Sequence, residues 1–298
     1  MQELFQKYKI YLGVLSLGII WGSTWLAIKI GLDDAPPFFA ASARFIIAFL
    51  ILYIWLKIKK YKFPADIKYW KNSIFIAAFM FIIPYGLVYW GELFVSSGLS
   101  AVLFSTQSLF VVVFAHFVKQ DEKANLYKII GLFMGLLGLF LIFSDNINWN
   151  EKLGFTAMLG LLAAAASAAF GLVLLSKQKH KTEPIPEVTA QLGITAIVFI
   201  IITLIVEKIP ENIFTIKLWS SITYLAVVGT AFAFIVFYRI SKHATAVLTS
   251  LTIFISPIFA VFLGWFVLNE TINTTGFIGI SLVIIGIIVS QTKISNNS

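Results

Sequence analysis

The chain has 298 residues, of which 59% are hydrophobic, 16% are aromatic and only 12% are charged. Soluble domains carry about 25% charged residues, and a chain with half of that proportion cannot cover a water-facing surface. The composition therefore excludes an ordinary soluble protein, a disordered chain, a collagen-like repeat and a nucleic-acid-binding domain. The absence of cysteine also excludes disulfides, thiolate metal sites and cysteine nucleophiles.

Ten apolar segments follow one another along the chain, separated by short polar stretches. A bilayer core of about 30 Å is crossed by about 20 apolar residues in a helix, so each segment predicts one membrane-spanning helix. The predicted spans are residues 11–31, 38–56, 72–91, 98–118, 127–144, 154–175, 188–206, 218–238, 245–268 and 275–292. The sequence therefore predicts an all-α integral membrane protein with ten transmembrane helices.

The basic residues alternate between the two sides of this predicted bundle. Cytoplasmic loops of membrane proteins are enriched in Lys and Arg. With the N-terminus inside, 17 of the 22 Lys and Arg residues fall on the inner side. Only Lys29, Lys152, Lys208 and Lys217 fall outside, and Arg44 alone lies within a span. This pattern predicts that both termini are cytoplasmic, and it accounts for the formal net charge of +8 without an acidic partner.

The two halves of the chain look like copies of one five-helix unit. Four pairs of residues align at an offset of 148, namely Ser108 with Ser256, Glu122 with Glu270, Gly131 with Gly279 and Gly138 with Gly286. Because five is an odd number, the second copy would cross the membrane in the opposite orientation. We therefore expect inverted repeats at residues 1–148 and 149–298. Such repeats place a substrate site between the halves, near the membrane midplane, and work by alternating access.

Four sequence motifs stand out along the predicted helices. They are WGSTW at 21–25, SARF at 42–45, YWGELFVSSGLSAVLF at 89–104 and SPIFAVFLGWFVLNE at 256–270. With the glycine-spaced last helix of each half, these motifs resemble those of the drug/metabolite transporter superfamily, in its ten-helix bacterial type with two EamA domains. The resemblance covers essentially the whole chain, although the proline common in the fourth helix of that family is Leu109 here. It implies a small-molecule permease or exporter of the bacterial inner membrane and leaves the substrate open.

Arg44 lies about two turns inside the second predicted helix, where an unpaired charge costs at least about 2.5 kcal/mol. One interpretation is functional: the guanidinium is the counter-charge for a carboxylate or phosphate of the substrate. The other is structural: the side chain bonds helix ends or extends to the outer lipid head groups.

Tyr85, Tyr89 and Glu92 follow one another at spacings of four and three, so all three project from one face of the third helix. Glu92 is the candidate for proton coupling or for contact with an amine, because it lies close to membrane depth without an adjacent lysine. The alternative is a solvated glutamate in the outer loop. Pro84 interrupts the same helix and predicts a kink.

Two groups of uncharged polar residues lie in the fourth and ninth helices. Thr245, Thr249, Thr252 and Ser256 form a hydroxyl stripe that leads into Pro257. Such a stripe either lines a cavity or bonds neighbouring helices. In the fourth helix the candidates for substrate contact are Ser105, Gln107 and Ser108. Gln107 is the strongest of these, because an amide both donates and accepts hydrogen bonds.

Aromatic residues supply the remaining candidates. Trp21 and Trp25 share one face of the first helix, and Phe170 occupies the corresponding place in the sixth. An aromatic wall holds apolar or cationic solutes through dispersion and cation–π contacts, but the same spacing also serves plain helix packing.

These observations predict a secondary transporter that exports small metabolites, such as amino acids or related amphiphilic solutes. The alternative is a multidrug exporter or a solute importer of the same fold, coupled to protons through Glu92. A membrane-embedded enzyme is not expected, because the sequence has three His, no GxSxG motif and no Asp inside a span. We expect no cofactor, no metal and no nucleic-acid partner. The expected partners are a small-molecule substrate and the lipid bilayer, with the chain a monomer or weak homodimer.

Overall fold

The structure is a computed structural model that describes residues 2–118, 126–146, 152–177, 184–209, 212–243, 246–271 and 273–290. Within these ranges the chain is helical and has no strand. The α-helices are α1 (Gln2–Leu32), α2 (Pro37–Ile58), α3 (Ile67–Ala77), α4 (Ile83–Gly91), α5 (Ser97–Ser105), α6 (Gln107–Val118), α7 (Leu126–Asn146), α8 (Lys152–Lys177), α9 (Pro184–Val206), α10 (Ile216–Ala226), α11 (Ala233–His243), α12 (Ala246–Leu268) and α13 (Thr274–Ser290).

Two of the long helices contain a π-helical segment in the middle. The first π segment, Ala78–Ile82, joins α3 to α4, and the second, Val227–Phe232, joins α10 to α11. Pro84 follows the first segment and has no N–H to donate to the preceding turn. The second segment has no proline, and there the Thr230 hydroxyl donates to the Leu225 carbonyl at 2.8 Å. The sequence predicted a kink at Pro84 but not the matching irregularity in the second half.

The predicted fourth span is also interrupted, at Thr106, where α5 ends and α6 begins. The Thr106 hydroxyl donates to the Leu103 carbonyl at 2.6 Å. Side-chain bonds of this kind compete with the helix ladder and bend helices. The break falls three residues before Leu109, so this helix is irregular although it lacks the proline of the resembling family. Its counterpart α12 keeps Pro257 inside a continuous helix.

The helices pack in pairs that join the first half of the chain to the second. The main pairs are α1 with α12, α2 with α9, α4 with α8, and α7 with α13. In the last pair a Cβ added at Gly138 would lie 2.6 Å from the Gly279 carbonyl oxygen, and one added at Gly286 would lie 2.6 Å from that of Gly131. The two backbones therefore touch, and the glycines at these positions permit the close approach of the two helices.

Hydrogen bonds tie the loops together at one end of the bundle. We call it the carboxylate end, and define it by Asp33, Asp34, Glu92, Glu207 and Glu270. The opposite end, which we call the lysine end, is defined by the loop between α2 and α3 with its three lysines, Lys59, Lys60 and Lys62.

Most of the carboxylates at the carboxylate end bond to the start of a helix in the other half of the chain. Glu207 accepts from the backbone N–H groups of Phe38 and Phe39 at 2.8 and 2.7 Å, in the first turn of α2. Burial raises the pKa of Glu207 above its ordinary value, while these two donors act in the opposite direction. Asp34 accepts from the hydroxyl of Thr215, the residue that caps α10, at 2.6 Å.

Seven helices in the described part of the chain are long and apolar enough to cross a membrane, and three further apolar helices are shorter. The shorter ones are Ile129–Leu141, Ile255–Leu268 and Thr274–Val289. Each of the ten predicted segments contains helix, and the third begins at Ile67 rather than at residue 72. The helices fit a multi-pass membrane protein, whereas the count of ten spans in two repeats stays a prediction.

Candidate functional site

Arg44 is the largest side chain that the structure buries almost completely, with 1% of its surface exposed. It lies seven residues after Pro37, the first residue of α2, and therefore about 10 Å inside the carboxylate end. A side chain buried to this degree does not extend to lipid head groups. The interpretation of Arg44 as a residue that reaches the membrane surface is therefore wrong.

The guanidinium of Arg44 contacts both halves of the chain. Its Nε donates to the Thr230 hydroxyl, in the second π segment, at 2.8 Å, and its Nη1 donates to the Tyr89 hydroxyl of α4 at 3.5 Å. Its central carbon lies 4.7 Å from the centre of the Tyr85 ring, a cation–π contact. Among the described residues no carboxylate lies within salt-bridge distance of Arg44. Within the described part of the chain, the direct contacts of the guanidinium are therefore with hydroxyl groups and aromatic rings.

Glu92 lies directly after α4 and is fully buried. Neither of its carboxyl oxygens has a hydrogen-bond partner among the described residues. A solvated glutamate in a loop was one of the two predictions for this residue, and its complete burial shows that this prediction is wrong. A buried carboxyl without donors favours the protonated form or a ligand that supplies donors.

Lys29 of α1 lies against this segment, although it is far from Glu92 in sequence. Its Nζ donates to the backbone carbonyls of Glu92 and Val95, the latter at 3.1 Å. The expectation that Glu92 has no adjacent lysine holds along the chain but is wrong in three dimensions. Since the ammonium bonds to the backbone, the Glu92 carboxyl group itself stays without a hydrogen-bond partner.

Trp21 belongs to an aromatic cluster beside the Arg44 site. Its ring centre lies 5.7 Å from that of Phe234 and 5.4 Å from that of Phe237, both in α11. Phe234 lies 4.8 Å from Phe81, which in turn stacks on Tyr85 at 6.3 Å. The Trp21 Nε1 atom is buried without a partner among the described residues. Trp21 is thus linked through rings to Tyr85 and carries an unused donor.

Trp25 and Phe170 do not share this cluster. Trp25 is buried and packs on Phe104 of α5 at 5.4 Å. Phe170 packs on Phe79 and Phe114, at 4.9 and 5.7 Å. The structure therefore separates three aromatic residues that the sequence analysis grouped as one wall.

In the fourth predicted helix, the hydroxyl groups of the two serine candidates donate to backbone carbonyls of the same segment. Ser105 donates to the Val102 carbonyl at 2.7 Å, and Ser108 donates to the Ser105 carbonyl at 3.0 Å. Both side chains are buried, whereas Gln107 is partly exposed. Gln107 is therefore the residue of this group whose side chain reaches the surface of the structure.

The hydroxyl stripe of α12 is only partly described. Thr252 is buried, and the Ser256 backbone lies against Gly22 of α1. The side chain of Thr249 and the whole of Thr245 lie outside the described residues. For Ser256 the structure favours a role in packing α12 on α1.

Sequence reasoning missed Thr230 and Lys29 as parts of the site. Thr230 is 186 residues away from Arg44 in the chain, and Lys29 is 63 residues from Glu92. One signal for Thr230 was present, since a hydroxyl side chain near the middle of a predicted span needs a partner.

Together these residues place four polar groups near the carboxylate end. They are the guanidinium of Arg44, the hydroxyls of Tyr85 and Tyr89, and the carboxyl group of Glu92, which has no hydrogen-bond partner among the described residues. The described residues contain no group of His, Asp and Glu that could hold a metal ion. Chemically, such an arrangement can complement a solute with charged groups of both signs, or an anion together with a proton.

Comparison with known proteins bears on the family and the fold of the chain. The sequence profile described as "EamA-like transporter family" matches the chain twice, at residues 8–144 and 155–292. The chain is 31% identical over 288 residues to the "Uncharacterized transporter YoaV" of Bacillus subtilis, which covers 96% of this chain and 98% of the relative.

Two further likenesses extend along most of the chain. The "Uncharacterized inner membrane transporter YedA" of Escherichia coli is 25% identical, over 95% of this chain and 90% of its own. A solved structure described as "Crystal structure of protein" shares the fold, with a TM-score of 0.67 and 15% identity, over 94% of this chain and 95% of its own. The chain is not an enzyme but a multi-pass membrane protein, and it belongs to the EamA-like transporter family of the drug/metabolite transporter superfamily.

Proposed function

We propose that the protein is a secondary transporter that exports small metabolites, such as amino acids or related amphiphilic solutes, by alternating access. The observation that carries the proposal is the buried guanidinium of Arg44, which lies between the halves and has no carboxylate partner among the described residues. A buried charge without a counter-ion is costly, and a substrate carboxylate would offset that cost.

Two inverted repeats of five helices each are the architecture that we propose for this function. Ile67 and Ile216 begin the two helices that contain π segments, 149 residues apart, and each helix has its π segment after 11 residues. The helices α2 and α9 both begin with a proline, Pro37 and Pro184, 147 residues apart. The same π segment and the same initial proline, repeated at spacings of 149 and 147 residues, support two copies of one unit.

We further propose that the protein has ten spans and lies in the bacterial inner membrane, as a monomer or weak homodimer, with both termini in the cytoplasm. The orientation rests on the basic residues, of which 17 fall on the inner side of ten spans. In this orientation the lysine end faces the cytoplasm and the carboxylate end faces outward.

The carboxylate end is closed in the arrangement that the structure shows. Four of its carboxylates bond across the two halves: those of Asp33, Asp34, Glu207 and Glu270. Opening this end requires that such bonds break together. In the proposed cycle this is the state in which solute exchanges with the cytoplasmic side.

Counterflow in liposomes tests the proposed function. Purified protein is reconstituted with a high internal concentration of each unlabelled amino acid, and the uptake of the same radiolabelled amino acid is followed. We expect uptake for a subset of the amino acids. Absence of counterflow across the whole panel would overturn the assignment to amino acids.

A second candidate, favoured by Glu92, is a drug exporter or a solute importer coupled to protons. The carboxyl group of Glu92 is fully buried and has no hydrogen-bond partner among the described residues, as a proton-carrying group requires. A pH change inside liposomes upon addition of a cationic dye would favour this candidate: the interior becomes alkaline if the dye enters in exchange for protons, and acidic if it enters together with protons. Counterflow of amino acids without proton movement would favour the first.

A further inference from the structure

Gln191 occupies in α9 the place that Arg44 occupies in α2. Each lies seven residues after the proline that begins its helix, Pro184 or Pro37. Because α9 begins at the lysine end, where the Tyr69 hydroxyl donates to the Pro186 carbonyl at 3.0 Å, Gln191 lies about 10 Å inside that end. The two polar side chains are thus placed at equal depths from opposite ends of the bundle.

Tyr238 completes the parallel with the Arg44 site. It follows Tyr89 by 149 residues, the same spacing that separates the starts of the two helices with π segments. Just as Tyr89 contacts Arg44, Tyr238 contacts Gln191: its hydroxyl donates to the Gln191 Oε1 atom at 2.8 Å.

The amide of Gln191 keeps an unused donor. The side chain has none of its surface exposed, and its Nε2 has no hydrogen-bond partner among the described residues. Because Tyr238 occupies the Oε1 atom, the amide is held in the orientation that leaves its N–H groups for an acceptor. A buried amide with unmade bonds carries a cost that a bound acceptor removes.

A carboxylate lies on the same face of α9. Glu187 precedes Gln191 by four residues, and side chains at this spacing are neighbours on a helix. Glu187 is buried, with 8% of its surface exposed, and it lies within electrostatic range of Tyr69 and Tyr238. The lysine end thus offers an amide donor and an acidic group one turn apart.

We infer that Gln191, Tyr238 and Glu187 form a second solute-binding site, which takes the zwitterionic head group of an amino acid. The carboxylate of the solute accepts from the Gln191 amide, its ammonium group faces Glu187, and Tyr238 holds the amide in place. The inference rests on the proposed transport of amino acids. It adds a binding site at the lysine end, equivalent to the proposed site of Arg44 and Glu92 at the carboxylate end.

Binding of three related probes to the purified protein tests this site. The probes are leucine, 3-methylbutylamine, which lacks the carboxylate, and 4-methylpentanoate, which lacks the ammonium group. Gln191→Glu keeps an acceptor for Tyr238 but places a negative charge where the solute carboxylate binds. Because the Arg44 site is unchanged in this variant, we expect leucine to bind in two classes, one with native affinity and one weakened at least about tenfold by the loss of a hydrogen bond to a charged group. We expect the affinity for the amine to stay equal or rise.

Glu187→Gln is expected to give the complementary pattern. Its affinities for leucine and for the amine fall, whereas its affinity for 4-methylpentanoate does not change. Thr189→Val is the matched control, because Thr189 is buried in the same helix and its hydroxyl donates to the Ile185 carbonyl at 2.6 Å. This control should bind all three probes as the native chain does.

The outcomes separate this inference from the proposed function. If the native chain binds leucine and both variants bind all three probes equally well, the second site is overturned and amino-acid transport stands. If the native chain neither binds leucine nor shows counterflow of any amino acid, both fall together. Melting temperatures are measured for every variant. If Gln191→Glu does not fold, Gln191→Met takes its place, with the same loss of leucine affinity expected.

Discussion

At the scale of single residues, the Arg44 site combines a charge that is costly to bury with partners that do not neutralise it. Thr230 and Tyr89 supply hydroxyl oxygens, and Tyr85 supplies the face of its ring. Replacing buried ionic groups by apolar residues of similar size is often neutral or stabilising. A guanidinium kept at this position is therefore better explained by binding than by stability.

Arg44→Met tests this explanation, because methionine fills a similar volume without a charge. We expect the melting temperature in detergent to stay close to that of the native chain. We expect counterflow of amino acids to fall at least about tenfold, because a charge-assisted hydrogen bond to the solute is lost. A variant that melts far below the native chain would instead show that Arg44 holds the helices together.

Glu92→Gln tests the role of the buried carboxyl group. The amide is nearly isosteric with a protonated carboxyl and carries no titratable proton. If the protein is coupled to protons, the variant keeps exchange of solute but loses the solute-driven pH change in the liposome interior, as measured with an entrapped pH-sensitive dye. The same pH change in the variant and in the native chain would exclude Glu92 as the coupling residue.

Glu270→Gln contrasts with Glu92→Gln, because the Glu270 carboxylate has hydrogen-bond partners. It accepts from the Ser97 backbone N–H and hydroxyl at 2.7 and 2.8 Å, and from the Gly98 N–H at 3.1 Å. These groups begin α5, so Glu270 caps that helix. We expect the variant to lower the free energy of unfolding by about 1–3 kcal/mol, because charge-assisted bonds to a helix start are weakened. If the variant melts at the native temperature and its transport depends less steeply on pH, Glu270 takes part in proton coupling and is not simply a helix cap.

At the scale of the helices, the sequence predicts the elements better than their irregularities. An apolar run of about 20 residues is a strong signal, and each of the ten predicted runs contains helix. The π segments and the break at Thr106 depend on which backbone groups find side-chain partners. Pro84 marks the first π segment, but nothing local marks the second, where the Thr230 hydroxyl bonds within the helix and to Arg44.

In the candidate site, too, the sequence predicts how residues of one helix are arranged but not which residues of other helices contact them. Tyr85 and Tyr89 were predicted to share one helix face, and both contact Arg44 in the structure, because their spacing fixes their direction. Thr230 and Lys29 come from other helices, and the period of one helix carries no information about what packs against it. The roles of all these residues in transport stay predictions.

Gly286→Ala tests the close contact of α7 and α13. A Cβ at this position would lie 2.6 Å from the Gly131 carbonyl oxygen and 2.7 Å from the Gly135 nitrogen, so the helices must move apart. We expect a loss of about 1–3 kcal/mol in the free energy of unfolding, as for other overpacked positions. Gly154→Ala is the control, because nothing lies within 4 Å of the added atom. If thermal melting in detergent does not separate the two variants, the contact does not stabilise the protein.

At the scale of the whole molecule, the two halves hold each other at the carboxylate end through the starts of their helices. Glu207 and Glu270 of the second half bond to the first turns of α2 and α5. Asp34 of the first half bonds to Thr215, which begins α10. A helix start presents unpaired N–H groups, so carboxylates bind there without a cation and can be released as a set. In the proposed cycle, a rocking motion of the halves opens this end by breaking these bonds.

A disulfide across this closure tests whether transport requires it to open. Asp34 and Thr215 are suited to it, because their side chains already meet, with the hydroxyl 2.6 Å from the carboxylate oxygen. The chain has no cysteine, so a double variant, Asp34→Cys with Thr215→Cys, carries a single pair of thiols.

We expect counterflow through the double variant to stop after oxidation and to return after treatment with a reductant. Each single variant serves as a control and should be insensitive to both treatments. If the halves must rock to carry solute, joining them at one end blocks every cycle while leaving the protein folded, so the melting temperature should rise as counterflow stops. Transport that continues at the native rate in the fully cross-linked protein would show that this end stays closed throughout, and solute would then have to leave by a path that does not pass between Asp34 and Thr215.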